Sequence, residues 1–335
     1  MAKFTKFVIV LIWGIVLTSC DRDDGSLYDY VYKIEFKGNP IEIMSSTQAF
    51  SSYDRVGLNY FNIIKIKEDL FYMYYLAFGE DTDGTDLSQR MLFAYSTDLF
   101  HWSKTIPQKD NNLILENLAD ASVSYNPELD WPFRLVCRKM VDRVNHLAMY
   151  RSKNGYEFEF CKYLLDGKYD TQSACIDGWE GYRLYTRMWN DEHTDRMIGV
   201  AKFDREDNCI DSLKSIGLHY VYNPACSKVD EKYVLLMPSY LNNMEKNGDD
   251  RMRVLTYLLD KKGVFPVDNN FNQIETYEQV YVSPGIIEWK GDKYISYQVK
   301  NQTHDKESFP ETTYKLLKVD FEKEYVSGQI SYIKP

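Results

Sequence analysis

From residue 61 to the C-terminus the chain is a succession of short runs in which apolar and polar residues alternate. A period of two marks a half-buried strand, because successive side chains leave opposite faces of a sheet. The runs are of three kinds. Small residues colour the first: FNIIKI from Phe61, DASVSY from Asp120, SACI from Ser173, NPACSKV from Asn223 and SPGIIEW from Ser283. The second is rich in aromatics and leucine: LFYMYYLAF from Leu70, FRLVCRKM from Phe133, YRLYTRMW from Tyr182, YVLLMPSYL from Tyr233 and YISYQVKN from Tyr294. The third generally runs into a polar turn: RMLFAYSTDLFHW from Arg90, HLAMYRSKNGYEF from His146, RMIGVAKFDRED from Arg196, RMRVLTYLLDKKGVF from Arg251 and TYKLLKVDFEKEY from Thr313.

Three strands thus recur in one order, five times, at a period of about 50 to 60 residues, and such a period indicates a propeller, a solenoid or an array. No helical periodicity of useful length separates the units, which disfavours parallel α/β folds. Each unit can hold one four-stranded sheet, and small residues in the first strand suit the crowding at a ring axis. The expected fold is all-β, a five-bladed β-propeller. Two packed sandwiches are the alternative, but they do not require one strand order five times. Within the first unit, Ser96 and Asp98 are expected to hydrogen-bond the turn backbone, and Trp102 to cover the outer edge.

The ends add a destination. Lys3 and Lys6 precede an apolar stretch from Phe7 to Leu17 that is short for a membrane span, and small residues follow, as in a secretory signal over 1–19. Leu17-Thr18-Ser19-Cys20 resembles the lipobox of bacterial lipoproteins, which implies cleavage before Cys20 and its acylation; an ordinary signal with an incidental cysteine is the competing reading. Asp21-Arg22-Asp23-Asp24 looks like the acidic tether that directs some Gram-negative lipoproteins to the cell surface. A tether and a first strand over 20–45 then lead into a propeller over 46–335, held at the outer membrane through the lipid alone.

Composition narrows the partners. A formal charge of −10 and a pI near 5.1 disfavour a nucleic acid. Of the 6 cysteines, the five after Cys20 have neither disulfide nor zinc spacing, and Cys137, Cys161, Cys175, Cys209 and Cys226 read mainly as small buried apolar residues. Tyrosine, at 28 residues, supports a strand-rich fold.

AYSTDLFHW resembles the blade turn of the five-bladed propeller glycoside hydrolases of families 32, 43 and 117, and MYRSKNGYEF looks like the same turn in a second blade. ADASVSYNP is similar to the Asp-Pro-Ser-Val opening of a blade in those enzymes, and SPGIIEWKGDKYISYQVKNQTHD to their last blade, down to a His in the following loop. The resemblance covers nearly the whole mature chain as architecture. It implies an oligosaccharide ligand bound on the axis, at the face where first strands begin and second strands end. No cofactor is implied, although a calcium ion at the axis, found in some relatives, stays open.

That topology sorts the polar residues. Asp177, Glu180, Glu68, Asp69, Asp230 and Glu231 fall in hairpins of the opposite face, with Glu288 close by, and read as solvated turn residues. Asp120 opens the first strand of the second blade, where the family places a carboxylate that positions substrate; a structural Asp capping the strand is equally compatible. Arg138 and Arg187 end the second strands of two blades, where a guanidinium can grip a carboxylate in two-pronged fashion or simply pair with an acidic loop. Trp189 and Tyr240 can stack on a sugar ring, Glu192 can donate a proton, and His304 matches the family's late His.

Glycoside hydrolysis normally uses two carboxyl groups across the bond. The family supplies an Asp opening blade one, an Asp in blade two and a Glu from blade three. Here blade one opens VGLNYFNIIKI, with Asn59 instead, and the nearest carboxylate is Asp54; blade three offers only Asp170 and Glu192. The leading expectation is a surface-anchored glycosidase with Asp54 as base, Asp120 as orienting carboxylate and Glu192 as acid. A lipoprotein that binds glycan in the same pocket without cutting it is the alternative, and a protein-interaction platform the third.

Overall fold

The structure is a computed structural model that describes residues 29–47, 53–79, 88–142, 144–166, 173–177, 181–189, 195–241, 252–267, 271–274, 279–301, 311–327 and 330–333. Among these residues lie twenty strands and one helical turn of four residues. The first strand, β1 (Asp29–Ser45), finds its partner only at the far end of the chain. Blade one is β2 (Gly57–Lys67), β3 (Leu70–Phe78), β4 (Gln89–Ser96) and the first half of β5 (Leu113–Tyr125). The second half of β5 opens blade two, followed by β6 (Phe133–Val141), β7 (Val144–Ser152) and β8 (Glu159–Asp166). Blade three is β9 (Ser173–Asp177), β10 (Tyr182–Trp189), β11 (Arg196–Phe203) and β12 (Cys209–His219).

Blade four has β13 (Val221–Lys228), β14 (Val234–Leu241), β15 (Met252–Val254), β16 (Tyr257–Asp260) and β17 (Gly263–Pro266). The third strand of this blade, continuous in the sequence pattern, breaks at Leu255-Thr256: β15 pairs with the end of β14 and β16 with its start. After the helical turn α1 (Phe271–Ile274), blade five consists of β18 (Gln279–Trp289), β19 (Asp292–Asn301), β20 (Glu311–Val326) and β1. All paired strands are antiparallel, as the short connections within each blade require.

The inner strands β2, β5, β9, β13 and β18 each touch the next, and β18 touches β2, so the ring is closed. Closure is latched by β1, which runs beside β20 from Asp29↔Val326 to Ser45↔Thr313. The segment expected as a first strand is therefore the outer strand of the last blade. A two-ended latch of this kind also covers the edge that β20 would otherwise expose.

Five apolar clusters hold the described residues together, one in each gap between neighbouring blades. Aromatic rings fill the wedge-shaped gaps. Phe61 of blade one stacks on Tyr314 of blade five at 3.9 Å and 11°, and both are completely buried. Truncating such a ring to Ala costs about 3–5 kcal/mol. Tyrosine suits these gaps because its hydroxyl can reach polar groups at the margin. Tyr74 donates across the gap to the Gly155 carbonyl at 2.8 Å, and Tyr314 to the Asn59 carbonyl at 2.6 Å. Between blades two and three, Arg134 Nε lies 3.1 Å from Asp207 Oδ1, with its guanidinium 4.5 Å from the Tyr182 ring.

The blade turns form as their polar residues dictate. Asp98 Oδ1 accepts the backbone N–H of Phe100 and His101 at 3.1 and 2.8 Å, and Ser96 Oγ accepts that of Asp98 at 3.2 Å. Burial pushes the Asp98 carboxyl up, but hydrogen bonds from His101, Phe100 and Ser96 outweigh it and bring it down to about 2. The second blade repeats the turn with Ser152 and Asn154. Trp102 packs against the cluster between blades one and five. Cys137 and Cys226 are buried as expected, Cys161 partly so; Cys209, at the start of the outer strand of blade three, is exposed.

Candidate axial site

The inner strands share a defect where they begin. On β2, two residues lie between the pairs Leu58↔Ala77 and Phe61↔Tyr75, against one on β3. The same bulge separates Ala119↔Arg138 from Ser122↔Val136 in blade two and Tyr222↔Ser239 from Ala225↔Met237 in blade four. Blade five has a larger version between Val282↔Tyr297 and Ile286↔Ile295. Bulges re-aim side chains and are common beside active sites. Asn59, Asp120, Asn223 and Ser283 therefore occupy one structural position in four blades. Asp120 and Asn223 have φ of +52° and +47°, a left-handed conformation that Asp and Asn tolerate better than other side chains. The bulges went unforeseen; their signal is the polar residue opening each small-residue strand.

Asp120 and Arg138 meet across β5 and β6. Arg138 Nε lies 2.8 Å from Asp120 Oδ2, with side chains 9% and 8% exposed, a close ion pair at the mouth of the ring. In blade one the equivalent residue is an amide. Asn59 Oδ1 accepts from Lys300 Nζ at 2.6 Å, and Asn59 Nδ2 donates to Gln89 Oε1 at 2.8 Å. Lys300 lies next to the end of β19, on the same face as Arg138.

Asp54, expected as the base, is buried in blade one. It does not stand open at the axis as a base must. Its side chain is wholly buried, accepts a hydrogen bond from Tyr75 OH at 3.1 Å and lies 3.6 Å from Lys104 Nζ. Asn112 Nδ2 in turn donates to Tyr75 OH at 2.8 Å. Burial brings the Lys104 ammonium down to about 7 against the opposing pull of Asp54. A base must be reached by water and sugar, so this carboxylate reads as an internal anchor of blade one.

The remaining nominees divide. Arg187 sits at the end of β10, half-buried, in the place that Arg138 takes on β6 when FRLVCR and YRLYTR are superposed. The half-buried Trp189 follows it, with the Arg196 guanidinium 4.5 Å from its ring. Tyr240 lies opposite Val221 and packs against the cluster between blades three and four. Nearby, buried Asp195 hydrogen-bonds the His219 ring and accepts the Tyr220 backbone N–H at 3.0 Å. Glu192, His304 and Cys20 lie outside the described residues.

Hairpin residues of the opposite face have structural roles. Asp230 accepts from the hydroxyls of Tyr30 and Tyr32, both at 2.9 Å, tying blade four to β1. Glu68 and Glu231 pair with Lys65 and Lys228 at 2.8 and 2.6 Å. Toward that face the inner strands surround a hollow of about 310 Å³, lined by Asn62, Ser124, Tyr125, Cys226, Ser227 and Gly285 among others. Among the described residues no group of three or more His, Cys, Asp and Glu side chains could hold a metal ion. Asp120, already paired with a guanidinium, suits an axial cation poorly.

No protein-family model matches the chain, and no curated protein matches it in sequence. Its backbone does resemble solved structures. A family 117 glycoside hydrolase of Zobellia galactanivorans superposes with a TM-score of 0.59 at 8% identity, over 86% of this chain and 90% of that one. A thermostable family-43 glycoside hydrolase gives 0.58 at 13%, over 88% and 96%. The GH32 beta-fructofuranosidase of Bombyx mori gives 0.58 at 15%, over 82% of this chain and 61% of that one, so the chain spans about three fifths of that protein. The chain has the five-bladed propeller fold of these hydrolases.

Proposed function

We propose that this protein is a surface-anchored, glycoside-hydrolase-like lipoprotein that holds an oligosaccharide over its propeller axis, against Asp120 and Arg138, without cutting it. One observation carries the non-catalytic part: the axial position of blade one that corresponds to Asp120 is Asn59, a neutral amide. Asp54, the nearest alternative, is sealed beneath Tyr75 and Lys104. Among the described residues, two-carboxylate hydrolysis then lacks one partner. Trp189, Tyr240 and Arg187 are the further ligand contacts in this reading, with His304, which follows β19 in the sequence.

Calorimetry against a panel of oligosaccharides, followed by assay for new reducing ends over days, tests it. Binding with intact ligand is expected, and sustained turnover would overturn it. Hydrolysis remains a second reading, favoured by the left-handed backbone at Asp120, since such strain gathers at active sites. In that reading Glu192 is the acid, and Glu192→Gln abolishes turnover. Anchoring through Cys20 predicts that Cys20→Ala moves the protein from the membrane fraction to the soluble one.

A further inference from the structure

The latch strand β1 fixes where the chain leaves the ring. Its last residues lie at the level of the axial mouth. Ser45 pairs with Thr313, the Ser46 N–H donates to the Thr312 carbonyl at 2.9 Å, and Thr312 Oγ1 donates to the Leu58 carbonyl at 3.2 Å, where β2 opens. The first residues of β1 lie on the opposite face. Asp29 pairs with Val326 at the end of β20. Pairing of β20 with β19 stops at Lys318, and from Val319 to Val326 its partner is β1. The start of β1 is also tied to the hairpin between β13 and β14 on that opposite face. Tyr30 and Tyr32 donate to Asp230, Tyr233 donates to the Tyr30 carbonyl, and the Lys232 ammonium stands 4.8 Å from the Tyr30 ring. Held on so many sides, the point of exit is fixed.

Length then decides the orientation. Asp29 follows Cys20 by nine residues. Whatever their conformation, nine residues span at most about 32 Å. Returning from Asp29 to the level of the mouth means following β20 from Val326 to Thr313, a path of about 40 Å at about 3.3 Å per residue. A lipid on Cys20 therefore holds the membrane on the side of the Asp230 hairpin and cannot lay the mouth against it.

We infer that the axial mouth opens away from the anchoring membrane and takes its glycan from the surrounding medium, not from a glycolipid of that membrane. This rests on the reading of Cys20 as lipidated and of the mouth as glycan-binding. Asp120, Arg138 and the Asn59–Lys300 pair then face the medium.

The test uses the whole lipidated protein in vesicles of phosphatidylethanolamine and phosphatidylglycerol. A fluorophore is attached at Glu128→Cys, in the exposed hairpin opposite the mouth, or at Val144→Cys, exposed on the mouth side, each with Cys209→Ser. Energy transfer to an acceptor lipid is then read. Both positions belong to blade two, and the nine residues of β6 set them about 30 Å apart, so transfer about twofold or more stronger from Glu128→Cys is expected. Equal transfer, or stronger transfer from Val144→Cys, overturns the inference and leaves lipidation standing. A protein that does not float with the vesicles, and does not differ in this from Cys20→Ala, removes both.

A second arm separates the two sources of glycan. Each oligosaccharide that binds in calorimetry is offered free and as a neoglycolipid in the anchoring vesicle. Were the mouth able to reach it, the neoglycolipid would act at about millimolar effective concentration. No competition with the free sugar is expected in that vesicle, and effective competition overturns the inference. A panel without any binder removes the glycan-binding reading, while the two labels still decide the orientation.

Discussion

Replacing Asp54 by Asn separates an anchor from a catalyst. Asp54 and Lys104 are 3.6 Å apart, with side chains 0% and 18% exposed. At that separation and an effective dielectric of about 20, the attraction between full charges is about 4–5 kcal/mol. Because burial brings Lys104 down to about 7, the lysine is roughly half-charged at neutral pH, and the expected loss falls to about 2–3 kcal/mol. The hydrogen bond from Tyr75 can be kept by the amide oxygen. Urea unfolding at pH 7 should show a midpoint lower by about 1 M at unchanged slope, for a slope of about 3 kcal/mol per M. At pH 9, where the folded-state lysine is neutral, the deficit should shrink. Adding Lys104→Met should restore much of the stability, because a buried pair is costlier to break than to replace whole. Ligand affinity should not change. An unaltered midpoint combined with lost binding or lost turnover would refute the assignment and return Asp54 to the ligand site.

Lys104 also predicts a pH slope in the unmodified protein. It titrates near 10.5 when unfolded and near 7 when folded, so between those values the unfolded chain binds more protons and stability rises with pH. The contribution is at most about 1.4 kcal/mol per pH unit, and stability curves of Lys104→Met should lack it. Arg134→Met strands the buried Asp207 carboxylate between blades two and three, and chemical denaturation should show about 3–5 kcal/mol lost, whereas Lys65→Met, at an exposed pair, should cost less than about 1 kcal/mol. A chain beginning at residue 46 lacks the latch strand. It should lose cooperative unfolding by circular dichroism and associate through the bared edge of β20, while a cooperative monomer would show that the latch is dispensable.

Much of the fold is legible because a propeller is repetition, and repetition survives in a single sequence. The inner strands are recognisable from segments as short as SACI and NPACSKV, and the Ser-Asp and Ser-Asn turns close as their side chains dictate. The latch is less legible: the strand nature of 29–45 can be read locally, but its partner is nearly three hundred residues away. Asp120 and Arg138 can be assigned to one face from sequence because strand order alone puts them there. The surroundings of Asp54 are harder to read. Sequence distance puts it near the start of blade one, yet whether a carboxylate faces the axis or the gap between blades depends on packing, here against Tyr75 and Lys104. Lys300 and Asn59 meet across 241 residues, beyond the reach of any local pattern.

The most direct measurement is a crystal structure of the protein with a bound oligosaccharide. The sugar should lie at the mouth of the ring, with polar atoms in hydrogen-bond reach of Asp120, Arg138 and the Asn59–Lys300 pair, and with its glycosidic bonds intact. A sugar bound on another face, or a second carboxylate poised across a scissile bond from Asp120, would contradict the account.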